Sequence, residues 1–280
     1  MTNKNKGINP KEEQRMRNPV NVIGAVTFDF VRNTIEVLSL FVDTLWWAIV
    51  GPFKGKSSGR QSIFHQMVFA GVQSIVIVFF ISLFTGIVIA MQSAYQLKQL
   101  GAIIYVAPMV SISMARELGP VFTALVVTGR VGSAITAEIG TMQVSEQIEA
   151  LETMALNPVR FLVVPRFLAL LVMLPCLTIM SDIVGVIGGL IVGVFNLQLN
   201  PYRYVSFSFD FLTWKDVWTG LVKSVVFSII ISMVACHVGL RTRGGAEGVG
   251  RATTLSVVIS FILVVIFDCI LTGLFYFSNV

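Results

Sequence analysis

A chain of 280 residues that is 55% hydrophobic and only 12% charged is far more apolar than a soluble domain, and soluble enzymes and binding modules are excluded. A spanning helix needs about 20 apolar residues, and the runs near 62–94, 101–140, 159–197, 214–240 and 252–277 meet that length. The predicted class is therefore an all-α integral membrane protein with about five transmembrane helices.

The first twenty residues, MTNKNKGINPKEEQRMRNPV, are polar and lack an apolar core followed by a small-residue cleavage site, so they read as a cytoplasmic tail and not as a removable signal. Residues 21–51 mix Val22, Val26, Phe30, Leu38, Phe41, Leu45, Trp46 and Trp47 with Asp29, Arg32, Glu36 and Asp43. That spacing predicts a helix lying in the membrane interface, with its charges in water. GPFKGKSSGRQS is a linker that ends it, and the membrane-spanning region follows from residue 60 to residue 280.

The first span is expected from about Ile63 to Tyr95, with Gln92, Ser93, Gln96 and Lys98 marking its exit. The second run, 101–140, would reach roughly 60 Å as one straight helix at 1.5 Å per residue. It must be broken, tilted or partly re-entrant, and Pro108 and Gly119-Pro120 are the places to break it. A short helix over 145–156 precedes the third span, which holds Asp182 and a glycine-rich end. NLQLNPYRYVSFSFDFLTW is a periplasmic link with interfacial aromatics. The fourth span reaches Leu240, RTRGGAEGVGRATT forms a loop, and the last span carries Asp268.

With the N-terminus inside, cytoplasmic segments collect fourteen of the 20 lysines and arginines, as the positive-inside rule requires. This bias and anionic lipid headgroups account for the net charge of +5, and no nucleic acid is needed. Cys176, Cys236 and Cys269 all lie in apolar spans, and His65 and His237 have no ligand-spaced partners, so no metal site is expected.

Arg116 and Glu117 sit where an apolar run meets Gly119-Pro120. Ionisable groups at membrane depth are costly unless paired or facing water, so the two are either a binding point for a polar headgroup or a buried structural pair. Gly129, Ser133 and Ala137 recur every four residues, a stripe that lets helix backbones approach closely, inside one subunit or between two copies. Arg130 within it needs a partner. Ser145 is placed to cap a helix that Pro158 stops, with Val144, Ile148, Leu151 and Ala155 on one face and Glu146, Glu149 and Glu152 on the other. That acidic helix is either a docking element for a soluble partner or a solvated interfacial helix. Gly245–Ala252 nearly matches a phosphate-binding loop, but Arg251 replaces the required Lys and a membrane span precedes it, so a nucleotide site is rejected. Asp182, Lys223 and Asp268 are further ionisable groups inside spans, available for an ion path or for mutual pairing.

The run Arg116-Glu117-Leu118-Gly119-Pro120, Gly129-Arg130, Gly132-Ser133-Ala134, Ala137-Glu138-Ile139-Gly140, Glu146-Gln147, Met154-Ala155 and Asn157-Pro158 resembles the MlaE family of ABC-transporter permeases. A second stretch, Gly244 to Thr254 followed by Phe267-Asp268, resembles the same family, and the likeness covers about residues 60–277. The resemblance implies a homodimeric inner-membrane permease moving phospholipids between the two membranes of diderm bacteria and so maintaining outer-membrane lipid asymmetry. Its partners would be a cytoplasmic MlaF-like ATPase, an MlaB-like STAS protein and an MlaD-like hexamer of MCE domains. ATP and magnesium would bind to the ATPase, and the chain itself would hold no cofactor and catalyse no reaction. By that likeness 145–156 would be the coupling helix, with Glu146, Gln147, Glu149, Leu151, Glu152 and Met154 on the ATPase, and 21–51 would be the elbow helix. Arg116 and Glu117 would lie near a lipid cavity, with Tyr95, Leu97 and Leu100 as further lipid contacts, although no motif anchors Tyr95–Tyr105. A sterol or fatty-acid importer of the related Mce systems is the nearest alternative. An ion-coupled secondary transporter using Asp182, Glu117 and Asp268 is another, and a non-transporting membrane scaffold is a third.

Overall fold

The computed structural model describes residues 19–50 and 58–277, with side chains over 32, 34–50 and 61–277. The expected tail lies outside the described residues apart from its last two positions, and so does 51–57 of the linker. Among the described residues five helical stretches are long and apolar enough to cross a membrane: Gln61–Gln99, Ile103–Val144, Val159–Phe195, Trp214–Leu240 and Gly245–Phe277. No strand occurs among the described residues, as lipid demands of backbone groups that must be satisfied within their own segment.

Helix α1 (Pro19–Val50) is the element expected over 21–51. Val37, Leu40, Phe41 and Thr44 turn inward at helical spacing, and Phe41 meets Phe167 edge-on at 6.1 Å. Ile35, Leu38, Val42, Trp46 and Ile49 form a second apolar face that no described residue covers. Glu36 pairs with Arg241 at 2.6 Å, and Arg160 lies 5.2 Å over the Trp47 ring.

The first span is two helices, α2 (Ser58–Ala70) and α3 (Ile75–Gln99), joined by a tight turn over Val72–Ser74. The linker thus ends at Ser58, earlier than its composition indicated. At the joint the backbone ladder is interrupted, and Arg130 supplies donors there: Nη1 to Phe69 O at 3.0 Å and to Ser74 Oγ at 2.7 Å, and Nη2 to Gln73 Oε1 at 2.7 Å. The partner that Arg130 required is therefore the carbonyl end of α2, where the helix dipole favours a cation.

The second run is not broken. It continues as α4 (Val106–Ser113), α5 (Gly119–Val127) and α6 (Ser133–Val144), linked by π-helical turns over Met114–Leu118 and Thr128–Gly132. Pro108 falls in the first turn of α4, where a proline removes no helical hydrogen bond. Before Pro120, which lacks an N–H, the helix inserts one extra residue instead of stopping. A third π-turn, Val159–Val163, precedes Pro165 in the same way.

Helix α7 (Gln147–Thr153) is shorter than the predicted 145–156. Ser145 does not cap it: its hydroxyl donates back to Thr141 O at 2.7 Å, closing α6. Glu146 takes the position before α7 in a left-handed conformation, φ 59°, and Ala155 turns the chain again at φ 58°. Ile148 is buried and Leu151 half-buried, but Val144 and Ala155 are exposed, because those turns carry them off the helix face.

Helices α8 (Val164–Phe195), α9 (Pro201–Phe211), α10 (Trp214–Leu240) and α11 (Gly245–Phe277) complete the chain. Small residues set the packing, as expected where lipid removes the hydrophobic drive between helices. Gly86 and Gly188 bring α3 and α8 so close that a Cβ at either would collide with backbone, and the Ser82 and Ser181 hydroxyls bond across at 2.7 Å. α10 runs down the second span through Gly220 against Ala115, Thr136 to Ala235 O at 3.2 Å, and Gly239 against Ile139. α11 touches the body along Ser256, Ser260 and Val264 alone among its fully buried residues. Only 11% of its most apolar window is buried, against 56% for α10. Tyr204 of α9 packs on Gly189 and Gly193, its hydroxyl without a partner, and burial raises its pKa.

Candidate functional site

The π-turn Met114–Leu118 places Arg116 and Glu117 against α10. They do not pair with each other. Asp216 stands at the third position of α10, where its Oδ2 accepts from Thr213 N at 2.9 Å and Thr213 Oγ1 at 2.7 Å in a capping box. Its other oxygen is left for Arg116, whose Nε lies 3.5 Å away. Two turns further along the same face, Lys223 is 1% exposed and points at Glu117 and α11. Its Nζ donates to Glu117 Oε2 and, at 2.7 Å, to Thr272 Oγ1, and it lies 2.9 Å from Asp268 Oδ1.

Two cations thus face three carboxylates. The Lys223 ammonium donates to Glu117 and Thr272 and lies in ion-pair range of Asp268, whose Oδ1 accepts no hydrogen bond, so its charge is shared between two carboxylates. Arg116 differs. Its side chain is 40% exposed and its one ionic contact among the described residues is the long one to Asp216, so most of its five donors remain free for a planar or tetrahedral anion. Ala115 O, whose π-helical donor would have been the missing Pro120 N–H, faces Gly220, which lets α10 lie close enough for Lys223 to reach Glu117. Asp182 joins none of this: its Oδ1 is buried without a partner and rests against Gly119.

Of the other predicted residues, Leu97 packs at the edge of an apolar cluster that runs through Ala94, Val110 and Met114 to Leu118, beside the ionic site. Tyr95 lines a hollow of about 190 Å³ with Lys98 and Asn196 that shares Ala94 with this cluster, and Leu100 is exposed just past the end of α3. Gly129 is exposed with open space around it, and Ser133 is half-buried and bonded only to its own helix. The stripe packed inside the chain is instead Thr128, Gly132, Thr136 and Gly140, one position away. Ala137 opens into a groove with Glu138 and Arg166. On α7, Gln147, Glu149 and Glu152 are exposed, as are Glu146 and Met154 at its two ends.

Sequence reading singled out Lys223 and Asp268 without placing them and passed over Asp216 and Thr272. A signal existed: Asp216 and Lys223 are seven apart on one helix face, as Asp268 and Thr272 are four apart.

A multi-pass membrane protein of apolar helices with an ionic cluster buried among spans is the architecture of a membrane permease. The profile of the family described as Permease MlaE matches residues 63–274, and the chain belongs to that family. A probable ABC transporter permease protein of Rickettsia typhi is 39% identical over 259 residues, 92% of this chain and 98% of the relative. The intermembrane phospholipid transport system permease protein MlaE of Haemophilus influenzae is 33% identical over 263 residues, 92% of this chain and 98% of its own. The chloroplastic protein TRIGALACTOSYLDIACYLGLYCEROL 1 of Arabidopsis thaliana is 35% identical over 225 residues, covering 80% of this chain and 63% of that protein.

Proposed function

We propose that the chain is the permease subunit of an ABC transporter that moves phospholipids between the inner and outer membranes of a diderm bacterium and so sustains outer-membrane asymmetry. It sits in the inner membrane with its N-terminus and α7 on the cytoplasmic side. Two copies meet along Gly129 and Ser133, and an MlaF-like ATPase receives the acidic face of α7 and hydrolyses ATP. An MlaB-like STAS protein and an MlaD-like MCE hexamer complete the assembly. Acyl tails lie on apolar walls that include Leu97, while the phosphate meets Arg116.

The observation that carries this reading is the uncommitted guanidinium of Arg116 beside a buried lysine held between two carboxylates. Glu117 and Asp268 neutralise Lys223, so Arg116 is the cation of this cluster that offers free donors to an anionic headgroup.

The test is purification of the tagged chain in mild detergent with identification of co-purifying proteins and lipids, followed by reconstituted lipid transfer. An ATPase, an MCE protein and phospholipid are expected to accompany the wild type. Arg116→Ala is expected to slow transfer about tenfold or more, as loss of a charge-assisted bond implies, with Arg116→Lys retaining part. A chain that emerges alone and without phospholipid, or an Arg116→Ala variant with wild-type transfer, overturns the reading.

A further inference from the structure

Arg166 and Glu138 stand apart from the ionic site just described. Arg166, at the start of α8, is 7% exposed. Its Nη1 donates to Leu162 O at 2.8 Å and its Nη2 to Glu138 Oε2 at 2.9 Å. Its Nε is buried with no acceptor. The Glu138 side chain is 46% exposed, and its Oε1 has no partner among the described residues. Beside the pair opens a groove of about 480 Å³ walled by Ala137, Thr141 and Met142, a volume within the range of ligand sites. Arg166 and Glu138 both line this hollow, and Nη1 and Nη2 each use one N–H in the bonds above and carry a second.

Glu138 lies 21 positions beyond Glu117 on one continuous helical run, roughly 31 Å along it, about the thickness of the hydrocarbon core. On the lipid-permease reading above, on which this inference rests, the groove is at the headgroup level of the cytoplasmic leaflet. One cation and one anion held side by side are complementary to a headgroup that itself carries both charges. A headgroup with phosphate alone would meet the Glu138 carboxylate and be repelled.

We propose that this groove binds the zwitterionic headgroup of a cytoplasmic-leaflet phospholipid, with phosphate toward Arg166 and a primary ammonium on Glu138 Oε1. It is a second lipid station, at the opposite end of the span from Arg116.

The test uses the full chain with its co-purifying partners in nanodiscs of pure phosphatidylethanolamine or pure phosphatidylglycerol, the retained lipid being counted by native mass spectrometry after transfer to detergent. Glu138→Gln keeps the side-chain shape and is expected to lower occupancy by the second phosphatidylethanolamine, the one retained in addition to that at Arg116, about tenfold without lowering phosphatidylglycerol. Thr141→Phe, at an exposed wall position, fills the groove and is expected to remove the same lipid. Wild-type retention in both variants while Arg116→Ala loses lipid overturns the groove and leaves the permease reading standing. Absence of retained phospholipid from the wild type overturns both. Ready disulfide formation between two copies of an Ala137→Cys variant overturns the groove, because a second copy would then close it.

Discussion

Lys223 Nζ meets two carboxylates and a hydroxyl contributed by the second span and α11, so removing its charge leaves Glu117 and Asp268 facing one another without a cation. Breaking a buried pair by deleting one partner costs about 3–5 kcal/mol. Lys223→Met is therefore expected to lower the melting temperature in detergent markedly, and adding Glu117→Gln to recover part of the loss by removing one carboxylate. Identical melting of Lys223→Met and wild type would show that water already screens the network. At this scale the chain announced its site through cost: Arg116, Glu117, Lys223 and Asp268 all stood out as charges in apolar runs. Their pairing was not readable, because Glu117 and Lys223 are 106 positions apart and meet only where Gly220 lets α10 approach Ala115.

Pro120 exerts its effect through a whole element. Lacking an N–H, it cannot continue the α-helical ladder, and the π-turn before it turns Arg116 and Glu117 toward α10. Pro120→Ala restores the donor and lets the segment relax to regular α-helix, in which one residue more or less swings side chains by about 100°. The expected outcome is equal or higher thermal stability with lipid transfer reduced about tenfold or more, the transition-state equivalent of losing one charge-assisted contact. Lower stability with unchanged transfer would show that the π-turn is a packing device only. The Gly119-Pro120 pair marked the place correctly, but a break and a π-turn share the same local signature. Ser145 shows the same limit: a serine between two helices can close the first or open the second, and the left-handed Glu146 after it decided for the first.

Among the described residues, two faces besides that of α1 are left unfilled. Gly129 and Ser133 look outward beside an internal stripe one position away, and α11 buries little of its apolar surface. A homodimer seam along the first predicts that Ser133→Cys forms an intermolecular disulfide in membranes under mild oxidation. Gly132→Cys, turned toward Ile231, should not. If Ser133→Cys stays monomeric while cysteines along α11 cross-link, the two copies meet on α11 instead.

The span count, the uncovered apolar face of α1, the small-residue positions and the charges at depth could all be derived from the chain alone, because bilayer thickness and the cost of burying charge act on each segment separately. Three things waited on the tertiary structure: which acid answers which base, which of two adjacent small-residue stripes packs inside, and whether Gly119-Pro120 breaks the helix or bends its register. Each depends on how far neighbouring helices can approach, and that distance is set jointly by residues such as Gly86, Gly188 and Gly220 and the partners they meet across the bundle.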